Sequence, residues 1–225
     1  IDHLIIWNEP NLAFEWGYRP VDPEGYVSLL RVAYEAAHRA NPQVIILSAP
    51  LAPTLEPPGS PNGLNDLLYF EAMYEAGLAD VSDAIAIHTY GFTTPPDAAP
   101  GVDALNFRRV ELLRDVMERF GDVDKPVYIT ETGWNDHPRW ASAVTPSQRI
   151  AYTLEALRYA ESQSDWLQSV CLWVMRFPAP TRSYPDGFTL VTPDFQPRPI
   201  YDAVQAFARG WSPGGALWLP PPTAR

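Results

Sequence analysis

The sequence predicts a fold of the α/β class, a parallel sheet with helices packed against it. Two patterns carry that prediction. Five short apolar runs, at 3–7, 44–48, 84–90, 127–131 and 170–174, begin about 40 residues apart, the length of a generous strand–helix unit. A helical pattern of apolar residues follows each run.

The helices carry their own boundary signals. Asp22-Pro23 opens the first, with Tyr26, Leu29, Leu30, Ala33, Ala36 and Ala37 on its apolar side, and Asn41-Pro42 ends it. The second is expected over 64–77, with Leu67, Phe70, Met73 and Tyr74 sharing a side and Gly77 as terminator. A third is expected over 106–121. Thr145-Pro146-Ser147-Gln148 reads as a capping box before Ile150, Leu154 and Leu157. Pro199 starts the last helix, with Ile200, Ala203, Val204 and Phe207 on one side and Gly210 as its end.

Strand–helix alternation suits both a closed barrel and an open doubly wound sheet. Neither GxGxxG nor GxxxxGK follows a strand run, which disfavours a nucleotide-binding open sheet. The informative polar residues cluster just past several strand ends, as in a (β/α)8 TIM barrel. Period-two alternation then assigns faces. Ala84, Ala86, His88 and Tyr90 are expected inside the barrel, with Ile85 and Ile87 against the helices. Val127, Ile129 and Glu131 are expected to point inward together, as are Ser169, Cys171 and Trp173, with Val170, Leu172 and Val174 opposed.

Composition excludes several functions. The 225 residues are 46% hydrophobic, enough for a core, and the net charge of −11 with 16 Lys+Arg argues against nucleic acid or an anionic membrane as partner. No apolar stretch reaches the ~18 residues that span a bilayer. The single cysteine, Cys171, permits no internal disulfide and reads as a buried thiol. No signal-peptide pattern is present, which leaves localisation open, secretion included. The 25 prolines concentrate in connections at 50–61, 93–100 and 177–199, and 212–225 reads as a proline-rich tail after a domain over 1–211.

Two glutamates stand at strand ends: Glu9 in Trp7-Asn8-Glu9-Pro10-Asn11, and Glu131 in Ile129-Thr130-Glu131-Thr132-Gly133-Trp134. Two carboxyls on separate strands are the minimum equipment for glycoside hydrolysis. With His88-Thr89-Tyr90 and Leu172-Trp173 in the same order, the chain resembles clan A of the glycoside hydrolases, retaining (β/α)8-barrel enzymes. The resemblance runs from His3 to about Trp211 and looks most like the β-xylosidase and arabinofuranosidase-like or cellulase-like branches. It implies that Glu9 closes the fourth barrel strand as acid/base and needs a raised pKa. It implies that Glu131 closes the seventh as an ionised nucleophile, favoured by hydrogen bonds from Tyr90. Asn8 would bind the sugar 2-hydroxyl, His88 would orient Tyr90 or the sugar, and Trp173 would floor the reacting ring. Trp134 would bind substrate, and with Trp140, Trp16, Tyr18, Asn135 and Arg176 would line neighbouring subsites; loop packing explains each of these equally well. A strained or cis peptide is implied after Trp173, and a carboxyl spacing of about 5 to 5.5 Å.

If the first strand is the clan's fourth, the chain supplies about strands 4 to 8 of a partial barrel. Its partners are then an oligo- or polysaccharide substrate and the missing N-terminal barrel strands. The edges at 3–7 and 170–174 would be bare and apolar. No cofactor is expected, and no metal, because four histidines without a His-x-His pair supply few ligands. The alternative is a catalytically impaired carbohydrate-binding or structural barrel.

Overall fold

The computed structural model describes residues 1–210; the predicted tail at 212–225 and the end of the domain at Trp211 lie outside the described residues. Strands and helices alternate: β1 His3–Ile5, α1 Pro23–Ala40, β2 Ile45–Leu47, α2 Asp66–Glu75, β3 Ile85–His88, α3 Arg109–Arg119, β4 Val127–Thr132, α4 Pro146–Ser162, β5 Leu167–Leu172 and α5 Pro199–Ala208. Short 3-10 turns occupy Leu78–Asp80 and Tyr184–Phe188.

Every ladder is parallel, and each strand neighbours the next in sequence. β1 pairs with β2, and β3, β4 and β5 form a second ladder. A single parallel bridge, Leu47 to Ala84, joins the two. The break between them has a chemical cause. The Asp83 carboxylate accepts from Ile46 N at 2.8 Å and from Tyr34, and lies 2.9 Å from His38 Nε2, so a side chain takes one backbone donor of β2 while Ile46 O and Ala84 O still accept from backbone. Among the described residues, no strand pairs with the outer edge of β1 or of β5.

The caps explain where helices start. Asp22 accepts from Gly25 N, and the absence of a Cβ at Gly25 leaves room for that carboxylate. Thr145 and Gln148 form both halves of the capping box. α3 begins at Arg109 and not at 106, because residues 106 and 107 serve β3 instead. The Thr89 hydroxyl donates to both their carbonyls, and the Asn106 amide donates to Ala99 O at 2.8 Å. β5 begins three residues before the predicted run, since Leu167 is buried and pairs with Val127.

The main core lies between the sheet and the helices, and includes Ile46, Ile85, Ile87, Val127, Ile129 and Leu167 against Tyr26, Leu30, Tyr69, Met73, Leu113 and Met117. A small second cluster, Leu47, Ala84 and Ala86 with Ile45 and Tyr128 against it, lies on the other face. Here one expectation fails. Val127 and Ile129 face the helices, and Tyr128 faces inward, yet Glu131 reaches the site with His88. The register shows why: Ile87 pairs with Ile129 but His88 pairs with Glu131, so Thr130 is an extra residue in β4. The bulge reverses the alternation and turns Glu131 inward.

Cys171 is exposed, not buried. It lies on the edge strand β5, where no described strand covers it.

The structure invests heavily in one ion pair. Arg109 and Asp66 are each about 1% exposed and joined by hydrogen bonds of 2.7 to 3.1 Å, while Arg109 Nη1 also donates to the carbonyls of Gly101, Val102 and Ala104. Burial still holds the Asp66 carboxyl above the ordinary range, opposed by Arg109. Removing Arg109 therefore leaves a buried carboxylate without its cation and takes a donor from the carbonyls of Gly101, Val102 and Ala104. Arg109→Leu is expected to cost about 3 to 5 kcal/mol in urea unfolding, and a loss below about 1 kcal/mol would contradict that account.

Candidate active site

Because the strands are parallel, their C-terminal ends and the loops that follow lie on one side of the sheet. Glu9 stands just beyond β1, where the backbone leaves strand geometry: Trp7 and Glu9 adopt φ of 77° and 44°. Positive φ is costly for residues with a Cβ, and surrounding contacts hold it here. Glu9 N donates to Pro50 O at 3.0 Å, and Leu12 N donates to Glu9 O at 3.0 Å. Tyr26, buried on α1, donates to Ile6 O and accepts from Ala49 N, fastening the ends of β1 and β2 together.

His88 ends β3 and is 2% exposed. Its Nδ1 lies 2.8 Å from Glu9 Oε1 and 3.7 Å from Glu131 Oε2. The ring thus lies between the two carboxylates, one of which also accepts the Tyr90 hydroxyl. Tyr90 matches its expectation, donating its hydroxyl to Glu131 Oε2 at 2.7 Å. One atom each from Glu9, His88 and Glu131 lie within 4.8 Å of one another. That is also the spacing of a divalent-cation site, which the scarcity of histidine did not suggest, since two of the three donors are glutamates.

The electrostatics run partly against expectation. Burial pushes the Glu131 carboxyl above its ordinary range, and the nearby Glu9 and Glu15 charges add to that. The His88 ring and the Tyr90 hydroxyl oppose the shift. Glu131 was expected as the plainly ionised partner. It sits instead in a site that resists its charge. Burial, then Glu131, raises Tyr90 well beyond the ordinary phenol range, so its hydroxyl stays a donor.

A cleft of about 270 Å³ opens over the two carboxylates, lined by Glu9, Glu131, Tyr90 and Trp173 together with Pro53, Phe92, Trp140, Tyr184 and Phe188. Each of the five strand-end loops contributes. Trp173 lies edge-on to Phe188, and the Trp173–Val174 peptide is cis. Trp140 and Tyr184 stack at 5.0 Å and 19°. Phe92, Tyr184 and Phe188 were not expected from sequence. The only available signal was their place on the long connections after β3 and β5.

Other expected residues lie elsewhere. Trp134 is 1% exposed, donates Nε1 to Thr94 O and packs on Phe107 and Tyr152, so its ring is closed to sugar. It fills the space over Gly91, where a Cβ would overlap the indole. Asn135 is buried and holds Tyr184 O and His137 N. Trp16 is core, Tyr18 is exposed, and Arg176 lies over Phe195. Asn8 is exposed beside Glu9. Behind the cleft, buried Arg149 on α4 donates to the carbonyls of Phe188 and Thr189 and pairs with Asp136, fixing the aromatic wall.

No family model matches the chain, and no curated relative does. Solved structures do match. A family 39 glycoside hydrolase from Bacteroides cellulosilyticus aligns with a TM-score of 0.60 and 24% identity, over 89% of this chain and 39% of its own. A glucosidase from Croceicoccus marinus gives 0.66 at 15% identity, over 93% and 40%. An α-L-arabinofuranosidase from Thermotoga maritima gives 0.62 at 12% identity, over 88% and 38%. The chain thus spans roughly two fifths of the length of these structures. It has the fold of the TIM-barrel glycoside hydrolases, matched over part of their length.

Proposed function

We propose that the chain carries the catalytic pair of a retaining glycoside hydrolase and supplies strands 4 to 8 of its barrel. The observation that carries this reading is the approach of Glu9 and Glu131, from β1 and β4, to within 4.8 Å across one aromatic cleft. Retention needs carboxyls about 5 to 5.5 Å apart, whereas inversion needs about 6.5 to 9.5 Å to seat a water between them.

In this reading Glu131 attacks the anomeric carbon while Glu9 protonates the departing oxygen. A glycosyl ester forms on Glu131 as the glycosidic bond breaks. Glu9, now ionised, takes a proton from water, which attacks the same carbon and releases Glu131. Tyr90 holds the Glu131 oxygen in position. His88, against both carboxylates, lowers the cost of their nearness. Trp173 and Phe188 supply apolar faces for the ring. The outer edges of β1 and β5, unpaired among the described residues, support a partner made of further barrel strands, since parallel edges take parallel strands.

Labelling tests the assignment. A 2-deoxy-2-fluoroglycoside with a good leaving group is expected to leave one sugar ester on Glu131, read by peptide mass mapping; a label elsewhere overturns the nucleophile. Glu9→Gln is expected to lower hydrolysis by about 10²- to 10⁴-fold for poor leaving groups and far less for activated aryl glycosides, which need no acid. Equal losses on both substrates would remove Glu9 from that role. Sugar binding by the chain without hydrolysis would favour the carbohydrate-binding alternative.

The strained ionisation of Glu131 gives a second test. A carboxyl raised in the fold is stabilising while protonated, and that stability is lost as pH rises through its folded pKa. Glu131→Gln is therefore expected to raise Tm relative to wild type at about pH 7, with the difference shrinking toward about pH 4, below the ordinary carboxylate value. A difference independent of pH would contradict the burial account.

A further inference from the structure

A second concavity lies on the two loops that follow β1 and β2. It has a volume of about 470 Å³, within the range of about 300 to 1,000 Å³ typical of ligand pockets. Tyr18, Arg19 and Pro20 form one wall, and Pro58, Ser60 and Pro61 the other. Both loops leave the C-terminal strand ends, and both also reach the catalytic cleft, through Glu9 and Pro53. We propose that this groove binds the leaving-group side of a neutral β-linked glycan, so that the enzyme acts on chains extending beyond the cleaved bond.

The groove is preformed. Asn11, fully buried, clamps the two loops by accepting from Ala52 N at 2.9 Å and donating to Ala52 O and Leu64 O. Ala13 N donates to Asn62 O at 2.8 Å, and Leu12 and Gly63 form an antiparallel bridge. Gly63 is glycine because a Cβ would overlap Asn11 O. Glu56 accepts from Ser60 and Asn62 and holds the far rim. A site already ordered loses little entropy on binding.

Its lining fits pyranose rings. Tyr18 is 87% exposed, and its backbone follows Gly17 into the left-handed region, at φ of 74° and 57°. Tyr18 N donates to Ala13 O at 2.7 Å and fixes that turn. The turn thus holds a large aromatic ring out in water at the rim of a concavity, where packing does not use it. With three proline rings around it, the groove offers flat apolar faces to the C–H faces that equatorially linked sugars present. Arg19 lies 5.8 Å over the Trp16 ring and donates Nε to Trp16 O, which holds its side chain at the wall of the groove. No carboxylate lines the groove, in contrast to the cleft.

Direction follows from the proposed function, on which this part rests. Glu9 protonates the leaving group, and the loop running on from Glu9 is the one that ends at Tyr18 and Arg19. A leaving group longer than one sugar is therefore directed toward the groove.

Calorimetric titration of the Glu131→Gln chain with cello-, xylo- and laminari-oligosaccharides, from disaccharide to hexasaccharide, tests this. Affinity is expected to rise with length for at least one series and to be absent for maltohexaose, whose α-links turn the rings differently. Tyr18→Ala is expected to weaken the long ligands about tenfold, the worth of one aromatic stack, and leave the disaccharide unchanged; Tyr18→Trp restores the gain. Because Tyr18 is exposed, an unchanged thermal midpoint separates lost binding from lost folding. Length-dependent binding that survives Tyr18→Ala, or no binding at any length, overturns the groove. Binding that depends on Tyr18 in a chain without hydrolytic activity leaves the groove standing and removes the hydrolase reading.

Discussion

One extra residue in β4 decides whether this site exists. With a regular strand, Glu131 would share a face with Val127 and Ile129 and point into the helix-packed core. The bulge at Thr130 turns it to the other face, where His88 and Tyr90 meet it. A carboxylate forced into the core would carry the full cost of an unpaired buried charge, so register and site are coupled. The strand keeps its apolar side chains on the helices and still delivers a polar one to the sheet's other face.

Delivered there, Glu131 remains under electrostatic tension. Burial raises its pKa, Glu9 and Glu15 raise it further, and only His88 and Tyr90 act against them. The His88 ring lies against both carboxylates, 2.8 Å from Glu9 Oε1 and 3.7 Å from Glu131 Oε2. The fold buries a second charged group on its helix side, where Asp66 is met by Arg109 and Arg109 by three further carbonyls.

Loop positions are fixed by buried groups that never reach the cleft. Asn11 joins the first two loops, Trp134 over Gly91 joins the third to the fourth, and Arg149 with Asn135 holds the fifth. Each makes hydrogen bonds to backbone, so the cleft's aromatic wall is anchored at main chain and not at side-chain tips. Loops without regular hydrogen bonding become precise in this way, and the proline content lowers the entropy lost on ordering them.

The sequence alone determined the alternation of strands and helices, the helix caps at Asp22 and Thr145, and the four strand-end motifs. All of these depend on residues near one another in the chain. It also brought Glu9, Glu131, Tyr90 and Trp173 into view as a group, because their residue types at strand ends carry the signal. Only the tertiary structure decided that Trp134 is core, that His88 touches carboxylates, that Cys171 is exposed, and that Phe92, Tyr184 and Phe188 wall the cleft. The reason is physical. Burial and hydrogen-bond partners belong to pairs of residues far apart in sequence. A one-residue register shift, which leaves no mark on composition or periodicity, reverses which side chains those pairs contain.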